Sequence, residues 1–338
     1  MENPPAYFDD PNPGEQAVVP DTPVYPPKYR KPARTGNIWL RSAISLALYL
    51  ALGYYIFQSF TILLIITAIV IFHEMGHFLA MKYFRYNDLG IFFIPLLGAY
   101  VSGSKREVSQ KESAVILLAG PLPGILLGII FYWLDQYSPN GLYFYEISLS
   151  HIAALLIFLN IINLLPVYPL DGGQLLNRIF LDEEGWISKT FIFLSALVML
   201  WFVWQSGWKL WPLLLFPAVM LLRLRTDSRF TDIEKQIEAE GINADVAYED
   251  LSDADYWKIR DILVNHHMAF RDFVAGPPYE YDPKEEKMMT TIQGLLHRHL
   301  LQDVSLTGKL LILVIWIAAF ASPWLMGMDM WLFRRFGF

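Results

Sequence analysis

The chain has 338 residues, 54% of them hydrophobic and only 17% charged, with no cysteine and a net charge of −7. Soluble domains carry about 25% charged residues, so this composition points to lipid as the solvent and excludes a disordered, collagen-like or disulfide-scaffold chain. The missing cysteines remove thiolate metal sites and cysteine nucleophiles, and the acidic balance argues against nucleic-acid binding.

In chain order, residues 1–36 hold nine of the 21 prolines and no apolar run, which predicts an extended or disordered tail. No basic segment followed by an apolar one marks a secretory signal. Crossing a ~30 Å hydrocarbon core takes about 20 apolar residues as a helix. Candidate spans lie at roughly 38–57, 60–81, 113–134, 148–167, 188–206, 208–223 and 309–332. The sixth is short and carries Pro212 and Pro217, so six or seven transmembrane helices are expected in an all-α polytopic membrane protein. Lys28, Arg30, Lys31 and Arg34, then Lys82, Arg85, Lys105, Arg106, Lys111, Arg178, Arg223, Arg225 and Arg229, fall on one side of the membrane. That bias predicts a cytoplasmic amino terminus, while Arg334 and Arg335 disagree with it. Residues 226–308 form the one long polar stretch, with 17 Asp/Glu, eight Lys/Arg and apolar residues such as Tyr256, Ile259, Leu263 and Val264 at helical spacing. The expected organisation is therefore a tail (1–36), a membrane core (37–225), an acidic helical cytoplasmic insertion (226–308) and a C-terminal transmembrane helix (309–338).

Inside the apolar run Ile62–Met81 stands His73-Glu74-Met75-Gly76-His77. Charged groups at a membrane-helix centre cost about 2.5–3.5 kcal/mol on insertion scales, so they persist mainly for function. On a helix, His73 and His77 lie one turn apart on the same face, where two imidazoles can hold one Zn²⁺ with Glu74 alongside as general base. The bland alternative is a pair of capped core histidines beside a neutralised Glu74. Catalytic zinc needs a third protein ligand and an open position. His266, His267, His297 and His299 lie in the polar stretch, and His151 belongs at the far end of the fourth span. Asp171 is the better candidate, in Asn163-Leu-Leu-Pro166-Val-Tyr168-Pro169-Leu-Asp171-Gly172-Gly173, where prolines and glycines break an apolar span. A non-helical segment there can turn a carboxylate inward, and it is tolerated at membrane depth only when buried in protein or lining a wet cavity. Taken alone, Pro-x-Asp-Gly also reads as an ordinary turn.

The two motifs, in this order and 94 residues apart (77 to 171), resemble those of the site-2 protease family of intramembrane zinc metalloproteases, over roughly residues 38–223. The resemblance implies a single catalytic Zn²⁺ on His73, His77 and Asp171, Glu74 as the base that activates water, and Asn163 as a residue near the metal that binds substrate or steadies an oxyanion. Helix–helix hydrogen bonding is the alternative role for Asn163. Residues 91–103, apolar but too short to span and interrupted by Pro95, Gly98 and Gly103, resemble the family's membrane-embedded hairpin. Ala119-Gly120-Pro121 resembles its motif on the third core helix, a packing and kink element. Two positions depart from the pattern: Tyr168, where proline is frequent, and Gly124, where asparagine is frequent. No stretch resembles the family's PDZ module, and 226–308 does not resemble its paired nucleotide-sensing module.

The resemblance implies a substrate that is itself a transmembrane protein, cut in or near its membrane segment in regulated intramembrane proteolysis, with a bacterial cytoplasmic membrane as the default setting. Two rivals use the same site: a metal transporter, which would need polar groups spaced along a path through the bilayer, and a catalytically silent scaffold, which would not need Glu74 and both histidines intact. A prenyl-protein type of zinc protease also places this motif on a membrane helix, but it expects a glutamate as third ligand.

Overall fold

The computed structural model describes residues 25–30, 37–57, 59–95, 98–105, 108–181, 185–208, 211–244, 246–296 and 300–328. Most of the proline-rich tail, Arg106, His297, His299, Arg334 and Arg335 lie outside these residues, so the expectations placed on them have no structural counterpart.

Asn37 opens α1 (Ile38–Phe57), its side chain accepting the Trp39 N–H at 3.0 Å. Ser59 does the same for α2 (Phe60–Tyr83), the helix that carries the histidine motif. An antiparallel hairpin follows, β1 (Asn87–Ile94) paired with β2 (Gly98–Ser104) in the register Ile91↔Val101 and Phe93↔Ala99. This is the expected hairpin. It packs under α1 through Tyr49 and Phe93, whose rings lie 5.7 Å apart, and through the Phe93 N–H donating to Ser45 Oγ at 3.1 Å.

A short β3 (Val108–Ser109) leads into α3 (Gln110–Ala119) and α4 (Pro121–Tyr137). The third candidate span was expected to carry a kink at Ala119-Gly120-Pro121. It is divided at Gly120, because Pro121 lacks the N–H that would continue the ladder and fits the first turn of a new helix. A small hairpin, β4 (Tyr143–Phe144) with β5 (Ile147–Ser148), precedes α5 (Leu149–Asn163). Prolines at 166 and 169 hold residues 164–170 outside helix, and α6 (Asp171–Phe180) starts at the aspartate itself. Asp171 is thus the first residue of a helix, with the irregular segment before it.

The chain continues through α7 (Trp186–Gln205), a short 3₁₀ turn (Trp211–Leu214) and α8 (Leu215–Ala239). The sixth candidate span does not stop near residue 223, since α8 runs on unbroken into the polar stretch. There α9 (Asp253–His266) and α10 (Glu285–Leu295) pack with α8 around Ile237, Tyr256, Trp257, Leu263, Met288 and Ile292. The chain returns through β6 (Leu300–Leu301), which pairs in parallel with β3, to α11 (Leu306–Leu325). Asp303 fixes that return at the start of α3, accepting from Ser109 Oγ at 2.8 Å and the Lys111 N–H at 3.1 Å.

Among the described residues, five helical segments are long and apolar enough to cross a membrane: Ile38–Tyr55, Phe60–Tyr83, Gln110–Tyr137 (α3 and α4 together), Trp186–Gln205 and Leu306–Leu325. The shorter apolar α5 packs among them, chiefly against α4. The protein is a multi-pass, predominantly helical membrane protein. Its membrane part and its polar unit have separate buried clusters. Residues 25–30, expected within the extended or disordered tail, instead pack on the polar unit.

Candidate active site

The geometry starts with helical periodicity. His73 and His77, four residues apart on α2, present both Nε2 atoms to the same point, 3.1 Å from each other. From the first turn of α6, Asp171 Oδ2 lies 3.1 Å from His73 Nε2 and 3.3 Å from His77 Nε2. The residues around the three atoms set their protonation. His73 Nδ1 meets Asn160 Oδ1 at 2.7 Å, and His77 Nδ1 meets the Ile116 carbonyl at 2.7 Å. Both partners are acceptors, so each Nδ1 carries a proton, and in the neutral imidazole each Nε2 keeps its lone pair facing inward. Asp171 Oδ2 is buried with no hydrogen-bond donor. In the neutral tautomer, two imidazole lone pairs and a carboxylate oxygen converge, an arrangement suited to a cation. Two nitrogens and one oxygen form a donor set compatible with Zn²⁺, with Asp171 at the third position beside the two histidines of α2.

Glu74, next to His73 and almost fully buried, shares with the triad a cavity of about 750 Å³. Ala99 to Gly103 of β2 line it, as do Gln174 and Arg178 of α6. Asn163 also lines this cavity, but its Nδ2 donates to its own helix, to Leu159 O at 3.2 Å. The structure brings His73, Glu74, His77 and Asp171 together and places Asn163 at the cavity without contact to the donor atoms. His151 lies at the opposite end of α5, bonded to Ser148 Oγ at 2.6 Å.

Asn160 and Ile116 escaped the sequence reading. Asn160 is one helical turn before Asn163 in an apolar span and 1% exposed; its Nδ2 donates to Leu156 O at 2.7 Å, which fixes the amide with its oxygen towards His73. A second polar residue at i−3 in a membrane helix was the available signal. No side-chain pattern could point to the carbonyl of Ile116. The glycines have geometric reasons. A Cβ on Gly120 would sit 2.3 Å from His77 Nε2, and one on Gly76 would sit 1.9 Å from Ala119 O, so α2 crosses the α3–α4 junction backbone to backbone. Gly124, where the resemblance leads one to expect asparagine, leaves room for Asn160: a Cβ there would be 2.2 Å from its Nδ2.

The model of Peptidase family M50 matches residues 61–144, the segment with α2, the hairpin and α3–α4. Stage IV sporulation protein FB of Bacillus subtilis is 29% identical over 167 residues, 47% of this chain and 57% of that protein. A zinc metalloprotease of Methanocaldococcus jannaschii is 23% identical over 224 residues, 65% of this chain and 61% of that one. The chain thus spans about three fifths of the length of these curated relatives. Among solved structures, the site-2 protease from Methanocaldococcus jannaschii matches with a TM-score of 0.40 and 23% identity, covering 56% of this chain and 88% of that one. In its paired motifs and these sequence matches, the chain is similar to the site-2 proteases, and residues 61–144 match peptidase family M50.

Proposed function

We propose that the protein is an intramembrane zinc endopeptidase that cuts transmembrane protein substrates within or beside their membrane segments, in the manner of regulated intramembrane proteolysis. The observation that carries this reading is the convergence of three metal-ligating side chains beside a glutamate at the wall of a cavity, two of them on a membrane helix. His73, His77 and Asp171 would hold the ion, and the two Nδ1 hydrogen bonds orient the imidazoles for it. When bound, Zn²⁺ supplies Lewis-acid polarisation of the scissile carbonyl and a lowered pKa for the attacking water.

Glu74 takes one proton from the water as its oxygen attacks the carbonyl carbon. It then returns a proton to the amine nitrogen as the C–N bond breaks. Asn163, which lines the same cavity, would hold substrate or the developing oxyanion once its amide leaves the Leu159 carbonyl. A substrate helix hides its carbonyls in its own hydrogen bonds and has to unwind before attack. The β2 wall offers an extended backbone on which an unwound segment can pair and recover those bonds. Substrates with helix-breaking residues near the cut are therefore preferred.

In this reading the amino terminus and the polar unit face the cytoplasm, by default that of a bacterium, which the bias of basic residues supports. The functional division is a core at 37–225, an acidic unit at 226–308 and a last helix from 309. Comparing membrane-protein fragments from cells carrying the native enzyme or E74Q tests the reading, with the variant expected to keep its zinc and lose the fragments. Identical fragment pools would favour the silent-scaffold reading.

A further inference from the structure

The polar unit carries a second site, unconnected with the metal centre. Residues 25–30, Tyr-Pro-Pro-Lys-Tyr-Arg, lie across a face built from α9 and the loops that flank it. Proline has no N–H, so a Pro-Pro segment can be recognised only through its carbonyls and ring faces. The groove supplies matching groups. Trp257 Nε1–H donates to Pro26 O at 2.8 Å, the Tyr281 hydroxyl donates to Pro27 O, and the Tyr248 hydroxyl donates to Tyr29 O at 2.6 Å. Each donor is an aromatic side chain, able to pack on a proline ring and bond its carbonyl together. Burial, reinforced by the Glu285 carboxylate, pushes the Tyr248 phenol up, and burial with Asp253 does the same for Tyr281, so both remain donors at neutral pH.

Lys28 is read separately. Its backbone N–H donates to Asp253 Oδ1 at 2.8 Å, and its Nζ donates to Glu249 O at 2.8 Å and to Leu251 O. The ammonium lies 5.7 Å from the centre of the Tyr248 ring, and the residue is 7% exposed. Tyr25 packs on Tyr279 (centroids 5.1 Å) and Tyr29 on Tyr281 (5.5 Å), which closes both ends. Hydrogen-bonding aromatics for the prolines and a carbonyl cage for the lysine give the face the chemistry of a proline-motif reader.

The geometry points to the unit formed by α8–α10 as a peptide-binding module for extended aromatic-Pro-Pro-Lys-aromatic segments, with the chain's own residues 25–30 as its resident, exchangeable ligand. Seven residues (31–37) separate this strap from α1, so its occupancy ties the start of the membrane core to the polar unit. A tether this short gives the strap an effective concentration in the ~mM range, enough to keep competing peptides out.

The test uses the full chain in detergent and a fluorescein-labelled peptide, Thr-Pro-Val-Tyr-Pro-Pro-Lys-Tyr-Arg, read by anisotropy. A full-length variant carrying Y25S, P26G, P27S, K28S and Y29S is expected to bind the peptide saturably, and the wild type at least tenfold more weakly. Peptides with the lysine or both prolines replaced by alanine should bind the variant at least tenfold more weakly, a comparison that places no burden on the protein's folding. Absence of saturable binding by a variant with wild-type melting behaviour, or equal binding of the altered peptides, would overturn the module. Equal binding by wild type and variant would overturn occupancy by the strap. Wild-type exclusion of peptide seen only at concentrations where the protein self-associates would overturn occupancy within one chain.

Discussion

Replacing Asn160 with alanine separates metal positioning from ordinary packing. The side chain makes two buried hydrogen bonds, accepting from His73 Nδ1–H at 2.7 Å and donating to Leu156 O at 2.7 Å. In N160A the His73 N–H has no acceptor in a buried site, a cost of about 1–3 kcal/mol. The imidazole also loses the bond that holds its tautomer with Nε2 free. Partners of this kind contribute about 10–100-fold to metal affinity, which corresponds to about 1.4–2.7 kcal/mol at 1.36 kcal/mol per decade. Zinc affinity of the purified full-length protein can be measured by competition with a chelator, with melting temperature recorded with and without zinc. N160A is expected to bind zinc at least tenfold more weakly and to lose part of the zinc-dependent rise in melting temperature. N160D keeps an oxygen acceptor at the same place and should retain most of the affinity. Wild-type zinc affinity in N160A, or an equal loss of melting temperature with and without the metal, would refute the positioning argument.

G120A would drive a methyl to within 2.3 Å of His77 Nε2, so zinc stoichiometry should fall well below one per chain, with an overpacking cost of about 1–3 kcal/mol in the denaturation midpoint. E285A strips the buried Arg260 guanidinium of its carboxylate, now 2.9 Å from Nε, and also removes the acceptor of the Tyr256 hydroxyl. Breaking one side of such a pair costs about 3–5 kcal/mol, and limited proteolysis should detect opening of the polar unit while the membrane helices stay protected. Chelator treatment of the native protein should abolish cleavage of a transmembrane substrate, and stoichiometric Zn²⁺ should restore it; full activity of a metal-free preparation would contradict the proposed chemistry.

Features that depend on local sequence could be read directly. The four-residue spacing of His73 and His77 assigns them one helix face wherever that helix packs. Pro95, Gly98 and Gly103 mark a run too short and too interrupted to span, and it forms the β1–β2 hairpin. The prolines at 166 and 169 announce the irregular entry to Asp171. Helix ends were harder. The division at Gly120 follows from Pro121, yet the apolar composition continues across it, and α8 runs past the point where its hydrophobic stretch stops. A hydropathy pattern reports the solvent around a helix and not its length.

By itself, the sequence determined that the chain lives in lipid, that any metal site is made of histidine and carboxylate, and which helix carries the first two donors. Those properties follow from residue chemistry and the 3.6-residue period. Only the tertiary structure decided that Asp171 meets the two histidines, that Asn160 and the Ile116 carbonyl, 87 and 39 residues from their histidines, hold the Nδ1 atoms, and that Lys28 docks 225 residues away on Asp253. These are contacts between side chains and backbone groups distant in sequence. No local period encodes them, because they exist only once the helices have packed.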